Sequence, residues 1–184
     1  PDVEVVEELP RPVKGDEDSE TVLRVFEDFG CPACRSYQLN VYPSLEQDYI
    51  ETDKIRYEFY DFVLPANPQW SNVVANAARG VQDRQGNDAF WNFAEAMFEN
   101  QRDLSTELIR TQAENVGVED VDVLINDAEG GVYEPVIESD ISTGENKYNV
   151  SGTPTLVLND QVLSSQAGAN YEVLESALEQ VLNQ

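Results

Sequence analysis

Two cysteines frame the segment Cys31-Pro32-Ala33-Cys34, in a chain of 184 residues with no histidine and no further cysteine. A pair at this spacing can close into a disulfide or open into a dithiol, and the reactive species is the thiolate. With no histidine, serine and cysteine triads lack their base. A zinc site would lack two of its four ligands unless two chains shared the ion. The pair also cannot be half of a larger disulfide framework. Three readings remain for the residues alone: a redox pair, two core thiols that merely lie close, and a soft-metal pair of the kind that holds Cu(I).

Position favours the first. Thr21–Phe26 (TVLRVF) is a run of β-favouring residues, and from Cys31 to about Tyr49 the pattern turns helical. Pro32 suits the first helical position, where a missing N–H costs nothing. The first cysteine then meets the orphan N–H groups and the positive dipole end of a helix. A dipole contribution of up to ~2 kcal/mol would bring a thiol from about 8.5 to about 7, and direct N–H hydrogen bonds are needed to go lower. Cys31 is expected to be the exposed nucleophile and Cys34, one turn inward, the buried resolving thiol. Glu27 and Asp28 would oppose the field if close to the sulfur, and Arg35 could offset them.

A second constellation, Gly152-Thr153-Pro154, stands just before a returning strand. It reads either as a simple strand start, where proline is tolerated, or as a cis Thr153–Pro154 bond. The cis form would turn the backbone at Thr153 toward the cysteines and offer an edge to an extended substrate.

The elements that must bring these pieces together run β–α–β, then a helical block, then β–β–α. Residues 1–20 read as an arm or linker with a short strand at Val3–Val6. Lys54–Phe62 alternates Ile55, Tyr57 and Phe59 against Arg56, Glu58 and Tyr60 as a second strand. Leu39, Tyr42, Leu45 and Tyr49 would share the inner face of the first helix, which Pro43 should kink. After the breaker Leu64-Pro65-Ala66-Asn67-Pro68, helices are expected at about Ser71–Asp83, Asp88–Asn100, Thr106–Asn115, Val121–Asp127 and Tyr133–Tyr148, with Ser105 and Asp120 as caps. Thr155–Leu158 and Gln161–Ser164 form a hairpin around Asn159-Asp160. Asn170 caps a last helix with Tyr171, Leu174, Leu178, Val181 and Leu182 inward. Neither set of strands covers an apolar sheet face alone, so the two ends must meet and the helical block is an insertion. The fold class is α/β, divided as 21–66 with 150–184 for the sheet domain and 67–149 for the helical insertion.

Charge bounds the partners. Asp and Glu number 36 against 11 Lys and Arg, a net of −25, with a mean hydropathy of −0.45. The acids are dispersed, which suggests a folded protein with a strongly solvated surface rather than a disordered tail. At about 1 M salt the Debye length falls to about 3 Å, so a saline medium would quiet the self-repulsion. With only Lys14, Lys54 and Lys147 as lysines, the composition resembles that of proteins from salt-loving archaea. Nucleic acid is a poor partner for such a surface. No stretch approaches the roughly 20 apolar residues of a membrane helix. The start at Pro1 fits a chain that has lost a signal peptide or anchor.

Four segments in this order resemble the DsbA-like branch of the thioredoxin superfamily, whose members carry an inserted helical domain. They are Phe26-Glu27-Asp28-Phe29-Gly30-Cys31-Pro32-Ala33-Cys34, Tyr57-Glu58-Phe59-Tyr60-Asp61-Phe62, Phe90–Phe98 (FWNFAEAMF) and Gly152-Thr153-Pro154-Thr155. The resemblance covers Thr21 to the C-terminus. It implies a thioredoxin fold and a protein disulfide oxidoreductase without cofactor or metal, acting on cysteine-containing protein substrates outside the cytoplasm. It further implies re-oxidation by a membrane quinone-linked partner of the DsbB or VKOR-like kind. Cys31 would attack, Cys34 resolve and Pro154 be the cis-proline, while the Phe90–Phe98 aromatics fill the core of the insertion. Reductase or isomerase activity, or a non-catalytic metal-binding use of the pair, are the alternatives. Two departures stand out. Ala33 replaces the histidine that helps DsbA hold its thiolate, and Val25 replaces a buried acid found in many thioredoxin-like proteins. Glu27, two residues along on the same strand face, either substitutes for that acid or, as expected, is a solvated surface acid. Asn149-Val150-Ser151 matches the N-glycosylation pattern, in a place where a glycan would obstruct the proposed substrate edge.

Overall fold

A computed structural model describes residues 4–65 and 69–184. Val3 and the Ala66-Asn67-Pro68 part of the expected breaker lie outside them. The strands are β1 (Val13–Gly15), β2 (Val22–Glu27), β3 (Arg56–Asp61), β4 (Thr155–Leu158) and β5 (Gln161–Val162). They form one sheet in the order β1-β3-β2-β4-β5. Only β2 and β3 are parallel, in a register that sets Val25 beside Phe59 and Glu27 beside Asp61. β4 returns antiparallel to β2. The two ends of the chain therefore do meet in one sheet.

The first strand is not at Val3–Val6, since residues 4–6 form no strand. It lies at Val13–Gly15, inside the segment read as an arm, because partners there satisfy its backbone on both sides. Toward the sheet it pairs with β3. Outward, Asn87 accepts from the Val13 N–H at 2.9 Å and donates to the Val13 carbonyl at 2.8 Å. A side-chain amide thus closes an edge that would otherwise invite pairing.

The expected helix from Cys31 to Tyr49 is three pieces: α1 (Pro32–Asn40), α2 (Tyr42–Leu45) and a π-helical turn (Glu46–Ile50). Pro43 has no N–H to return to the Leu39 carbonyl, and the axis breaks there. The break also turns Leu39 outward, to 37% exposure, while Tyr37 takes the inner position with its hydroxyl 2.9 Å from that of Tyr57. Five helices follow β3: α3 (Ser71–Gln85), α4 (Asn87–Glu99), α5 (Thr106–Asn115), α6 (Val121–Glu129) and α7 (Glu134–Tyr148). α8 (Tyr171–Leu182) closes the chain. Ser105 and Asn170 cap α5 and α8 through their side chains. Asp120 does not cap α6; its ψ of 59° is not the extended value that aims a capping oxygen back at the first turn. Asn159 and Asp160 both adopt positive φ, as a two-residue hairpin turn requires.

Alternation along the strands divides the core. Leu23, Val25, Tyr57, Phe59, Leu156 and Leu158 join the large cluster that includes Phe90, Trp91, Phe93 and Phe98 of α4. Phe26, Phe62, Tyr148, Val150 and Val157 form a smaller one. Gly144 lets α7 approach the latter closely, since a Cβ there would sit 3.0 Å from Phe26 and Phe62. The cysteine segment leaves the carboxyl end of a parallel strand, the end of an α/β sheet where ligands usually sit.

Candidate active site

β2 ends at Glu27 and the chain turns at once into α1, with Cys31 as the N-cap residue in an extended conformation. A side chain at that position sits near the N–H groups that the helix cannot pair itself, though the Cys31 sulfur makes no capping hydrogen bond to them as a thiol. No bond joins the two sulfurs in this structure. The Cys31 thiol donates to the Thr153 carbonyl at 3.5 Å, across the chain's two ends. The Thr153–Pro154 bond is cis, as one of the two sequence readings held.

Cys31 is not openly exposed, contrary to expectation. It is 6% accessible against 0% for Cys34, because the Thr153 segment lies over its sulfur, while Pro32 and Ala33 face solvent. The two thiols are held far apart in acidity. Cys31 is brought from 9.0 down to about 5, chiefly by the hydrogen bond from Cys34, with help from the Thr153 side chain and the backbone N–H groups of Cys34 and Ala33. Burial opposes that lowering. Cys34 goes well above 9.0 through burial, then through giving its proton toward Cys31 and through the nearby charge of Glu27. The Thr153 Oγ1, buried with no other partner, is free to serve the Cys31 sulfur.

Glu27 corrects a second expectation. It is fully buried rather than solvated. Gln38 on α1 donates to its Oε2 at 2.8 Å, and Oε1 has no partner. Burial, and next the charge of Cys31, raise its carboxyl well above 4.5 against the lowering effect of Gln38. Asp28 is buried too, but its oxygens accept from the Gly30 N–H at 2.8 Å and the Leu64 N–H at 2.9 Å, tying the turn to the segment after β3. Its own N–H points at the Cys34 sulfur at 3.5 Å. Arg35 forms no ion pair with either acid, and its buried Nε has no partner among the described residues.

Two residues of the site were missed by sequence reasoning. Gln38 stands one turn beyond Cys34 on the same helix, a spacing that pointed to it. Gln101, in the short turn after α4, donates to both the Phe29 and Cys31 carbonyls at 2.8 Å, and no local signal announces it. Asn149 is exposed and left-handed at the end of α7, close in sequence to Thr153.

Comparison with known proteins agrees with the fold that carries these residues. Disulfide bond formation protein D of Bacillus subtilis strain 168 is 25% identical over 177 residues, which span 94% of this chain and 77% of that protein. The probable disulfide bond formation protein D of Bacillus anthracis is 26% identical over 174 residues, covering 91% and 76%. Among solved structures, oxidised BdbD from Bacillus subtilis matches with a TM-score of 0.84 at 24% identity, over 95% of this chain and 94% of that one. DsbA of Chlamydia trachomatis matches with a TM-score of 0.80 at 16% identity, over 94% and 90%. The sequence model described as thioredoxin matches residues 8–180, so this chain, with its β-sheet, cysteine turn and inserted helices, belongs to the thioredoxin family.

Proposed function

We propose that this protein is a DsbA-like thiol–disulfide oxidoreductase that oxidises cysteine-containing proteins through the Cys31–Cys34 pair. The observation that carries the reading is the placement of the two thiols: Cys31 is the N-cap residue of α1, 3.5 Å from the Thr153 carbonyl beside the cis Thr153–Pro154 bond, and Cys34 is fully buried one turn inward.

In the oxidative direction a substrate thiolate attacks the Cys31 sulfur of the Cys31–Cys34 disulfide. That S–S bond breaks and Cys34 leaves with the electron pair. A high-pKa thiolate is a poor leaving group, so Cys34 departs best as it takes a proton. Glu27, whose buried carboxyl is raised well above 4.5, is the group suited to supply one. A second substrate thiolate then attacks the substrate sulfur of the mixed disulfide, and Cys31 leaves as its stable thiolate. The substrate loses two electrons and two protons and gains a disulfide. One of those protons replenishes Glu27 and the other goes to solvent, leaving Cys34 as a thiol. The backbone at Thr153, facing the Cys31 sulfur, offers an edge to an extended substrate. Pro32 and Ala33 form the exposed surface beside it.

Ala33 stands where DsbA has a histidine that helps hold its thiolate, and the oxidant reading here rests on other groups. The thiolate partners are Cys34, Thr153 and backbone N–H groups, none of which needs a histidine at that position. A stabilised reduced form makes a stronger oxidant, so the reduction potential should lie nearer about −120 mV than about −270 mV. The relatives named as disulfide bond formation proteins support work outside the cytoplasm, where disulfides persist, with re-oxidation by a quinone-linked membrane protein of the DsbB or VKOR-like kind. Among the described residues no helix is long and apolar enough to cross a membrane. The net charge of −25 supports a saline setting. A melting temperature that climbs steeply with KCl is the expected result, and a flat response counts against it.

The test of function is oxidation of a reduced, unfolded disulfide protein with glutathione disulfide as terminal oxidant. Turnover above the glutathione background should vanish in Cys31→Ser and stall as a mixed disulfide in Cys34→Ser. Wild-type protein that adds nothing to the background refutes the reading.

A further inference from the structure

Gln101 lies outside the strand–turn–helix unit that carries the cysteines, in the Gln101–Asp103 turn between α4 and α5. Its Nε2 donates at 2.8 Å to the Phe29 carbonyl and at 2.8 Å to the Cys31 carbonyl, the two that flank Gly30. The Cys31 carbonyl is also the acceptor of the first helical bond of α1, from the Arg35 N–H at 3.1 Å. One amide group, both of its hydrogens committed, therefore ties the helical block to the N-cap of the redox helix. The tie closes over a buried floor, since Phe29 stacks on Phe98 of α4 with ring centroids 4.8 Å apart.

We infer that Gln101 is a positioning residue for disulfide exchange, an amide clamp from the helical block that fixes residues 29–31 so that the Cys31 sulfur faces the N–H groups of α1 and the Thr153 segment. The inference rests on the oxidoreductase reading above. Its physical basis is geometric. The thiolate at Cys31 is stabilised by donors whose value depends on aim, and an N-cap side chain is aimed by its backbone, whose carbonyl the clamp holds. With that backbone fixed, the sulfur can pass from Cys34 to a substrate sulfur by rotation of its own side chain. Without it, Gly30, which has no Cβ to restrict it, lets the loop sample orientations that carry the sulfur away from the start of α1 and from the Thr153 carbonyl it now meets at 3.5 Å. Two partly buried carbonyls would also lose a donor. The helical block is then part of the redox apparatus as well as its scaffold.

The test replaces Gln101 with leucine, which matches its reach and donates nothing, and follows thiolate absorbance of the full-length reduced protein from pH 3 to 8. The Cys31 midpoint should rise by about one pH unit, a tenfold fall in thiolate below it. The rate of mixed-disulfide resolution and the reduction potential should change with it. Should Gln101→Leu not fold, Gln101→Asn keeps an amide one methylene short of spanning both carbonyls and carries the same measurements. A lower melting temperature with an unmoved Cys31 titration and unchanged exchange rate would make Gln101 merely structural and overturn the inference. Wild-type protein inactive toward reduced substrate would overturn the functional reading, and the clamp with it. Active wild type with an indifferent Gln101→Leu removes the clamp alone.

Discussion

Glu27 and Asp61 are register partners at the ends of the two parallel strands, both carboxyls are buried, and they differ in what they are paired with. Glu27 faces an amide, Gln38, and no cation among its hydrogen-bond and ion-pair partners. Asp61 faces the guanidinium of Arg79 at 2.7 Å. The same guanidinium reaches Asp140 at 2.7 Å, and Arg11 meets Asp140 from the other side at 2.7 Å. Burial raises Asp61 to about 6, with Arg79 pulling back. Glu27, without such a pull, is raised well above 4.5. An amide partner lets a buried acid stay neutral and keep a proton; paired cations hold an acid in place as a structural joint. One strand end is therefore suited to hold a proton, while its neighbour ties β3, α3, α7 and the N-terminal segment together.

The largest effect expected from breaking this contrast is on the joint. Arg79→Met leaves Asp61 and Asp140 buried with Arg11 as their remaining cation. Loss of one partner of a buried ion network costs about 3–5 kcal/mol, to be read as a fall in the denaturant midpoint. The Cys31 titration should stay near 5 in the folded protein, because the network does not touch the sulfur. A shift of that midpoint would mean the two strand ends are coupled after all.

How far the sequence revealed this contrast depended on distance along the chain. Features made by neighbours were readable: Pro32 starting α1, the Asn159-Asp160 turn, the Ser105 and Asn170 caps, and the order of strands and helices. The strand β1 was not, because its edge is completed by Asn87 from another element. Glu27 looked like a surface acid, since nothing in its own strand covers it; α1 does, through Gln38. Nothing beside Arg79 in the chain announces its role, and only the packed fold brings Asp61 and Asp140 to it. Cys31 was placed rightly at the helix start but too far into solvent, because its cover comes from Thr153 on the returning chain.

Next in size is Glu27→Gln, which preserves shape and removes the proton. If Glu27 passes its proton to and from Cys34, resolution of the mixed disulfide should slow by about 10²-fold, within the usual reach of general acid–base help. The same variant reports on stability. A carboxyl whose folded pKa is raised binds its proton more tightly folded than unfolded, so stability is fullest below the unfolded value near 4.5 and declines as pH rises toward the elevated folded value. Wild-type stability should fall across that window and Glu27→Gln should be flatter. Parallel curves, together with unslowed resolution, would reduce Glu27 to packing.

The smallest effect is expected at Thr153. Its buried hydroxyl makes no hydrogen bond while Cys31 is a thiol, and as a donor to the thiolate it ranks behind Cys34. Thr153→Val keeps the volume and removes only that donor, so the Cys31 midpoint should rise above about 5 by less than one pH unit, in keeping with one hydrogen bond among four. The direction follows from which state the hydroxyl serves: it donates to the thiolate, and its removal destabilises that state alone. A midpoint that stays put would assign the low value to Cys34 and the helix N–H groups, and would leave the Thr153 segment a role in covering the sulfur and presenting its backbone. A rise larger than that caused by Gln101→Leu would reverse the ranking, making the returning chain rather than the helical block the main determinant of thiolate geometry.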